Sequence, residues 1–504
     1  MLFNSYIFIF GFLPIALAGY FVAGKWGSKA VLLWLTGVSL FFYSWWNPPY
    51  VLLLIFSIGF NYTLGLWLSA LFHQQRSAGI GKWVLIGGVL ANLSLLGYFK
   101  YANFFMENLS YLTGQPYTFE NIFLPLGISF FTFQQVAYLA DAYQGQTEEH
   151  DFFGYATFVS FFPQLIAGPI VHHKQLLPQF TQSAFSKPSA QNMAVGLSVF
   201  FVGLGKKVLF ADSFARVADQ VFKASEAGTM LSMWQAWEGA LAYTFQIYFD
   251  FSGYSDMAIG LGLMFGVALP INFNSPYKAR SIIDFWRRWH MTLSQFLRDY
   301  LYIPLGGSRK GSTRRYTNLM LTMLLGGLWH GAGWTFVIWG GLHGLYLMLN
   351  HFWRHVAPSS NTSASPLTAI WQAFWKHSLT LLAVIVAWVF FRAVSLEGAL
   401  HLLGQMSFLE DGTAAKGLES FSPLIYLLAL VVVIWGLNPV QLFAGGLSHK
   451  AEYQNQVDAP GKLSWLLWKP SRVWAIGMAI WAVLAVVFVV RQAGLDSPFL
   501  YFQF

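Results

Sequence analysis

The chain has 504 residues, of which 56% are hydrophobic and only 10% are charged, and its formal net charge is +8. A soluble domain carries about 25% charged residues, so this composition indicates an integral membrane protein. The chain has no cysteine, which excludes disulfides, thiol nucleophiles and cysteine-ligated metal or iron–sulfur sites. The positive charge favours basic cytoplasmic loops over nucleic-acid binding, because the basic residues do not alternate along a polar face.

Apolar runs of the length that an α-helix needs to cross a bilayer recur along the whole chain. Because these runs are continuous and do not alternate, they predict helices and not a β-barrel. The predicted segments are 3–23, 31–46, 51–72, 83–98, 120–141, 152–171, 191–210, 231–249, 254–270, 317–329, 334–353, 376–393, 422–443 and 473–490. We expect about 11–13 transmembrane crossings, with the remaining segments re-entrant or interfacial. Residues 1–504 are predicted to form a single all-α polytopic domain.

The segment 278–315 carries the strongest cytoplasmic signature of the chain. Its basic residues greatly outnumber its two acidic ones, Asp284 and Asp299; the basic residues are Lys278, Arg280, Arg287, Arg288, Arg298, Arg309, Lys310, Arg314 and Arg315. Within it, residues 281–301 place apolar side chains on one arc at helical spacing and polar ones on the other. We therefore predict an amphipathic helix at the cytoplasmic interface within 276–305, with Ser281 and Asp284 forming its capping box.

His290 lies on the apolar arc of that predicted helix, against the pattern of the other polar residues. One interpretation is a core histidine that is bonded to a neighbouring carbonyl. The other is a histidine that lines a tunnel or takes part in catalysis.

His330 lies in the apolar region 317–353, which is long enough to cross a bilayer. A titratable side chain at that depth is a candidate functional residue. Burial without an acidic partner keeps an imidazole neutral, which suits a general base. Many glycines surround His330; they allow close helix packing, and they are also predicted to leave room for a ligand. His343 is more typical of a packing histidine at a helix contact.

Other polar residues in apolar surroundings have weaker claims to chemistry. Asp250 and Asp256 are predicted to make hydrogen bonds that fix a broken backbone, and Asn272 is predicted to cap a turn. The pair 172–173 is predicted to be a solvated loop end. No spacing typical of a metal site accompanies the two aspartates, so no bound metal or other cofactor is expected.

Three motifs together resemble a known family: Phe285-Trp286-Arg287-Arg288-Trp289-His290, Asp299-Tyr300-Leu301-Tyr302-Ile303-Pro304-Leu305-Gly306-Gly307 and Leu325-Gly326-Gly327-Leu328-Trp329-His330-Gly331-Ala332. They are similar to the membrane-bound O-acyltransferase family, and most similar to its bacterial alginate O-acetyltransferase branch. The segments 100–103, 162–169 and 250–260 also resemble that branch. The likeness extends from the first helix to the end of the chain.

The resemblance implies a ring of about eleven or more helices around a thin centre, where a tunnel brings a cytoplasmic acyl donor to an acceptor from the far side. It assigns the catalytic histidine to His330 and the second motif histidine to His290. It also implies a multi-pass protein of the bacterial inner membrane. Such a protein passes acetyl groups to periplasmic proteins that acetylate an exopolysaccharide such as alginate or cellulose.

From these inferences we expect acetyl transfer from a thioester, acetyl-CoA, to a hydroxyl group. His330 is expected to remove the acceptor's proton, and His290 to bond the donor's carbonyl or orient the thioester. The residues expected to line the acyl-donor tunnel are Trp286, Arg287, Arg288, Trp329, Asp256 and Asn272. The aromatic residues of the C-terminal segment form either an interfacial anchor or a docking element for a periplasmic partner; they include Tyr501, Phe502 and Phe504.

Two other classes of protein remain as alternatives. A transporter or flippase for a lipid-linked sugar would use the histidines as a proton relay, and loss of His330 would block polymer export. A scaffold subunit of a polysaccharide synthase would tolerate substitution of both histidines.

Overall fold

The computed structural model describes residues 1–73, 78–119, 122–147, 151–182, 185, 187–356, 365–407, 415–447, 453, 465–491 and 499–500. Within these ranges the regular secondary structure is helical, which confirms the predicted all-α class. The helices of the first part are α1 (Leu13–Ala23), α2 (Ser28–Ser44), α3 (Pro49–His73), α4 (Ala78–Leu96), α5 (Ala102–Thr113), α6 (Ile128–Tyr143), α7 (Phe152–Ser160), α8 (Phe162–Leu165) and α9 (His173–Phe180). Short π-helical turns at Ile7–Phe12 and Gly97–Tyr101 extend α1 and join α4 to α5.

The middle of the chain contains the helices that position the candidate site. They are α10 (Ala190–Gly205), α11 (Asp212–Glu226), α12 (Met233–Met264), α13 (Ile282–Trp286), α14 (Met291–Leu297), α15 (Ser312–His330) and α16 (Trp334–Val356). The last part contains α17 (Pro366–Arg392), α18 (Leu396–Met406), α19 (Pro423–Trp435), α20 (Pro439–Leu442), α21 (Ala444–Leu447) and α22 (Arg472–Arg491).

Six helical stretches of the described chain are long and apolar enough to cross a membrane: Ile7–Trp26, Pro49–His73, Gly79–Thr113, Ala190–Glu226, Pro366–Arg392 and Arg472–Arg491. Two further apolar helices, α2 and α19, are shorter. Large apolar side chains on the outer helices stay exposed, among them Phe56, Trp83 and Val483. Such a surface suits lipid and not water. The protein is therefore a multi-pass membrane protein, and the expected number of crossings stays a prediction.

Helix α12 forms the centre of the molecule, because nearly every residue from Ala236 to Met264 is buried. The sequence predicted two segments here, 231–249 and 254–270; this was wrong, since one unbroken helix covers Met233–Met264. Its neighbour α10 approaches it closely at glycines spaced seven apart. A Cβ on Gly203 would lie 2.5 Å from the carbonyl oxygen of Gly253, and one on Gly260 would lie 2.5 Å from that of Gly196. Only small residues permit this backbone contact.

The two aspartates of α12 form buried ion pairs with the turn between α10 and α11. Lys207 Nζ lies 2.7 Å from Asp250 Oδ1 and 2.7 Å from Asp212 Oδ1. Lys206 Nζ lies 2.7 Å from Asp256 Oδ2. The predicted role in fixing a broken backbone was wrong, because α12 is continuous where these aspartates lie. Their carboxylates instead neutralise two lysines that would otherwise be costly to bury.

Candidate active site

His330 is the last residue of α15, and only 4% of it is exposed. The chain is extended at Gly331 and re-enters a helix at Trp334, which confirms the predicted separation of 317–329 from 334–353. Aromatic rings surround the imidazole. The ring centroids of Trp339 and Phe391 lie 5.0 and 5.2 Å from it, both edge-on. The end of α15 thus presents one titratable ring inside an apolar, aromatic enclosure.

The glycines around His330 serve mainly to pack α15 against α16. A Cβ on Gly340 would overlap the carbonyl oxygen of Met323, and a Cβ on Gly327 would overlap that of Phe336. The ring of Phe336 also fills the space beside Gly331. The expectation of close helix packing is therefore confirmed, whereas the space predicted for a ligand at Gly331 is occupied by a side chain.

Lys100 holds the C-terminal end of α15, a role that the sequence did not suggest. Its Nζ donates hydrogen bonds to the carbonyl oxygens of Trp329, at 2.6 Å, and His330, at 2.9 Å. Tyr101 Oη donates a further bond of 2.9 Å to the carbonyl oxygen of Leu328. The last carbonyls of a helix lack partners within the helix and carry partial negative charge, so a lysine there both satisfies and neutralises them.

The prediction of one amphipathic helix over 281–301 is wrong in one respect, because the helix is interrupted in the middle of this range. Ser281 caps α13 as expected, its Oγ accepting a hydrogen bond from the Asp284 backbone N–H. Helix α13 then ends at Trp286, and α14 begins only at Met291. Between them His290 adopts a left-handed conformation with φ of 43°. That conformation is uncommon for a residue with a Cβ, and it occurs where the surroundings hold it in place.

One neighbouring segment, residues 272–274, holds His290 in that conformation. The Asn274 N–H donates to the carbonyl oxygen of Arg288 at 2.9 Å, and the Met291 N–H donates to that of Asn272 at 3.0 Å. The Asn272 side chain reinforces this pairing. Its Oδ1 lies 3.0 Å from His290 Nδ1 and also accepts a hydrogen bond of 2.9 Å from Thr292 Oγ1. His290 itself is fully buried.

The contact with Asn272 assigns the tautomer of His290. Because an amide oxygen only accepts, Nδ1 is the protonated nitrogen, and Nε2 of the neutral ring carries a lone pair. To bond a donor carbonyl, which is one of the two roles predicted for His290, Nε2 would need to carry the proton instead. In the present arrangement Nε2 of His290 is suited to accept a hydrogen bond.

The structure brings the two sequence-predicted catalytic residues together. The ring centroids of His290 and His330 lie 6.5 Å apart, although the residues are forty positions apart in the chain; His290 precedes α14 and His330 ends α15. Trp329 lies beside both, with ring centroids 6.4 Å from His290 and 4.9 Å from His330. Two histidines at this separation can both contact one small reacting group placed between them.

His343 supports the same region from α16. It is fully buried, and its Nδ1 accepts a hydrogen bond of 3.2 Å from Trp286 Nε1. Its ring also lies 4.9 Å from that of Trp339, which packs on His330. These contacts agree with the packing role predicted for His343 and place it one ring away from the candidate base.

A cavity of about 650 Å³ lies between α13, α14, α15 and α16, and its described lining contains neither His290 nor His330. It is large enough for a ligand of considerable size. Among the predicted tunnel residues, Trp286 and Arg287 line it, together with Arg298, Met323 and His351. Its wall also includes Met291 and Thr292, the two residues that follow His290.

The other predicted tunnel residues are engaged elsewhere in the structure. Arg288 pairs with Asp284, with Nε 2.9 Å from Oδ1. The Trp329 ring stacks on Phe133 at 4.9 Å, Asp256 pairs with Lys206, and Asn272 holds His290. None of these four belongs to the described lining of the large cavity.

The cavity lining carries exposed positive charge. Arg287 and Arg298 are both exposed, on the stretch that links α13 to the end of α14. Arg298 makes two hydrogen bonds with Asp299, of 2.7 and 3.1 Å, and these bonds raise the pKa of the guanidinium further. Arginine is charged at every physiological pH, so the cavity attracts anionic groups.

The described end of the C-terminal segment lies in the core. Phe499 and Leu500 are buried, with the Phe499 ring stacked on Tyr254 at 4.5 Å and the Leu500 N–H donating to Asp250 Oδ2 at 2.9 Å. Phe499 also contacts Phe251, whose ring lies 4.8 Å from His290. The predicted docking residues Tyr501, Phe502 and Phe504 lie outside the described residues.

The pair 172–173 was predicted to be a solvated loop end, which was wrong. His173 is only 4% exposed, and both histidines contact the buried Asp141 of α6. The sequence does contain one indication of burial, because the two histidines directly follow the long apolar run 152–171. The neighbouring Lys174 favoured the interpretation as a solvated loop.

Comparisons with known proteins agree with this geometry. Residues 80–391 match the model of the membrane-bound O-acyltransferase family, and this range contains both histidines. The chain is 46% identical to the peptidoglycan O-acetyltransferase of Helicobacter pylori, over 81% of this chain and 80% of the relative. It is 40% identical to the probable alginate O-acetylase of Azotobacter vinelandii over the full length of both. It is 43% identical to the probable alginate O-acetylase of Pseudomonas aeruginosa, over 81% and 75% respectively.

The family model covers more than half of the chain, and the relatives are 40–46% identical to it over the aligned residues. An enclosed histidine pair is consistent with the acyl transfer for which the family is named. The chain therefore belongs to the membrane-bound O-acyltransferase family and is an O-acyltransferase.

Proposed function

We propose that the protein transfers acetyl groups from acetyl-CoA on the cytoplasmic side of the bacterial inner membrane to hydroxyl acceptors, for the O-acetylation of an exported polysaccharide. The observation that carries the proposal is the pairing of His330 with His290, whose ring centroids are 6.5 Å apart; Met291 and Thr292, which follow His290, line the large cavity. Relatives that are named O-acetylase and O-acetyltransferase support acetyl as the transferred group.

In this proposal His330 is the general base. Its imidazole takes the proton of the acceptor hydroxyl as that oxygen attacks the acetyl carbonyl carbon of the thioester. The carbon–sulfur bond then breaks, and the proton on His330 passes to the departing thiolate of coenzyme A. The apolar enclosure favours the neutral form of the imidazole, which is the form that can accept a proton.

His290 positions the hydroxyl. Asn272 Oδ1 accepts a hydrogen bond from the protonated Nδ1 of His290. The other ring nitrogen, Nε2, therefore presents its lone pair to a hydroxyl placed between the two rings. The left-handed backbone at His290 gives this nitrogen a fixed direction. Because the hydroxyl is held in one orientation, less entropy is lost in reaching the transition state, and the activation free energy of acyl transfer falls.

The large cavity binds the donor. Coenzyme A carries several phosphate charges, and the exposed Arg287 and Arg298 supply the complementary charge at the cavity wall. Trp286 lies in the same wall and contacts His343, so the thioester end of the donor is directed toward the aromatic enclosure of His330.

The polymer belongs to the class of bacterial envelope or secreted polysaccharides. The relatives carry the names of two such polymers, peptidoglycan and alginate, and the sequence resemblance adds cellulose as a third candidate. We propose that the acceptor is presented by a periplasmic polymer-modifying acetyltransferase. Removing residues 501–504, which leaves the buried Phe499 and Leu500 in place, should abolish co-purification of that enzyme without preventing membrane insertion if the segment docks it.

The experiment that tests the activity is replacement of His330 by alanine, with the exposed His73 replaced as the matched control. General-base help is typically about 10²–10⁴-fold, so the His330→Ala protein should insert normally yet lose nearly all acetyl transfer. Acetate esters on the polymer and the amount of exported polymer are both measured.

The two measurements also discriminate the alternatives. Our proposal expects polymer that is exported in normal amounts but lacks acetyl esters. A transporter or flippase would instead lose export, and a scaffold subunit would retain both acetylation and export. Normal acetylation by the His330→Ala protein would overturn the proposal.

A further inference from the structure

Asp141, His172 and His173 converge at the C-terminal end of α6, apart from the histidine pair. His172 Nε2 lies 3.3 Å from Asp141 Oδ2, and His173 Nδ1 lies 3.5 Å from the same oxygen. One ligand atom from each of the three residues lies within 4.8 Å of the others. Asp141 and His173 are each only 4% exposed, so the group is built into the protein and does not lie on its surface.

The buried ring of His173 has few polar neighbours. Its Nδ1 makes only the long 3.5 Å contact with Asp141 Oδ2, and its other polar contact among the described residues is with the backbone of Gln146. His172 Nε2 and His173 Nδ1 both approach the same oxygen, Asp141 Oδ2. Three ligand atoms gathered in this way are the arrangement expected around a bound cation.

The spacing of these atoms fits metal coordination. Zinc–nitrogen and zinc–oxygen bonds are about 2.0–2.2 Å, so two ligands of a tetrahedral zinc lie about 3.3–3.5 Å apart. The distances from Asp141 to the two histidines match that edge length. We propose that Asp141, His172 and His173 bind a divalent transition metal ion, with zinc the best chemical match to two imidazoles and one carboxylate.

Tyr300 now bonds two of these three residues. Its Oη contacts His172 Nε2 and lies 3.1 Å from Asp141 Oδ2, so a metal bound by both residues displaces the phenol. A small cavity of about 20 Å³ adjoins His172 and Tyr300, which is room for one water molecule. A water in this cavity completes four-coordination.

Lys174 is the competing partner of Asp141. Its Nζ lies 3.7 Å from Asp141 Oδ2, but its side chain is 43% exposed. A lysine with this exposure is able to turn its ammonium group into solvent when a divalent ion neutralises the carboxylate. The alternative is an ion pair between Lys174 and Asp141 with no metal bound. Measuring the metal content of the protein distinguishes the two.

The metal would fix one wall of the donor cavity. The Ile170 N–H donates to Thr292 Oγ1 at 3.0 Å, and Thr292 Oγ1 donates to Asn272, which holds His290. Gln175, in the helix that begins at His173, borders both the small cavity and the large one. Clamping residues 172–173 to α6 therefore stabilises the segments that support His290. This role is structural and is independent of the proposed acetyl transfer.

The test measures metal in the full-length protein, purified in detergent without a polyhistidine tag. After loading with zinc and removal of free metal, the wild type should retain one zinc per chain by elemental analysis, and so should His73→Gln, whose histidine is exposed. Asp141→Asn and His173→Gln should retain at least tenfold less, since loss of one ligand strongly weakens such a site. Zinc should also raise the midpoint of thermal unfolding of the wild type but not of Asp141→Asn.

Size-exclusion profiles establish which variants are folded. Should His173→Gln aggregate, Asp141→Asn supplies the same comparison, and cobalt loaded into the wild type supplies a second one through its visible absorption in tetrahedral sites. Zinc retention by both variants equal to the wild type would overturn the proposal. So would a wild type that retains no zinc or cobalt after loading, which would leave only the Lys174–Asp141 ion pair.

Discussion

Lys100 Nζ donates a 2.9 Å hydrogen bond to the carbonyl oxygen of His330, so a cation from one helix fixes the end of another at the candidate base. The same ammonium group bonds the carbonyl oxygen of Trp329. The backbone of His330 is thereby held independently of its side chain, which leaves the imidazole available to contact a substrate.

Replacing Lys100 by methionine should lower the turnover number about tenfold or more while changing KM for the donor little. Hydrogen bonds from a charged group contribute about 1.5–3 kcal/mol, and each 1.4 kcal/mol lost in the transition state is about tenfold in rate. Lys100→Arg keeps the charge and should retain part of the activity. The exposed Lys82→Met is the control. Equal turnover by Lys100→Met and the control would contradict the role given to Lys100.

Replacing Asn272 by alanine should lower the turnover number about tenfold, because His290 loses the acceptor that fixes its tautomer and direction. Asn274→Ala removes a comparable buried amide two residues away, one that accepts a hydrogen bond of 3.1 Å from Asn438, and should affect stability more than turnover. In a His290→Ala background, the Asn272 substitution should have no further effect on turnover. If the two substitutions lowered the turnover number additively in the double variant, Asn272 would not act through His290.

Replacing Gly340 by alanine should destabilise the protein by about 1–3 kcal/mol, because a Cβ there overlaps the carbonyl oxygen of Met323 and forces α15 and α16 apart. Gly37→Ala, on α2, is the matched control, since no neighbouring atom lies within 4 Å of its Cβ position. Thermal unfolding in detergent measures the difference. A midpoint for Gly340→Ala as high as that of the control would show that the two helices adjust freely.

Replacing Arg287 by alanine should raise KM for acetyl-CoA several-fold with a smaller effect on turnover, because the guanidinium lines the cavity but does not reach the histidine pair. The effect should diminish at high salt, as expected for an exposed charge. Arg216→Ala removes an arginine that is 61% exposed elsewhere and serves as the control. Equal donor KM for both variants would remove Arg287 from the binding of the donor.

The sequence predicted the all-α class and pointed to His290 and His330 as candidate residues, and both histidines are buried in apolar surroundings in the structure. A histidine inside an apolar run is expensive unless it has a function, and this argument identified His330. Applied to Lys100, which lies between Phe99 and Tyr101 in an equally apolar run, the same argument would have identified the residue that caps α15. A lysine near the end of a predicted segment is also typical of a membrane interface, so the sequence alone does not distinguish the two roles.

The break at His290 was not predictable from periodicity. The apolar arc of 281–301 continues through 287–290, so the pattern favours one helix. The break arises from pairing with residues 272–275, eighteen positions earlier in the case of Asn272, and local sequence contains no sign of a contact with that separation. The same holds for Asp250 and Asp256, whose lysine partners lie on another helix.

The buried ion pairs between the α10–α11 turn and α12 have a consequence for biogenesis. Lys206 and Lys207 lie within one membrane-spanning stretch, and Asp250 and Asp256 lie within the helix that follows it. Placing one charged side chain at the centre of a bilayer costs about 2.5–3.5 kcal/mol at the translocon. Inserting either helix alone exposes unpaired charges to lipid, whereas in a hairpin of the two both lysines are already paired with carboxylates. The two helices should therefore enter the lipid as one unit during synthesis, with the segment 227–232 as the turn.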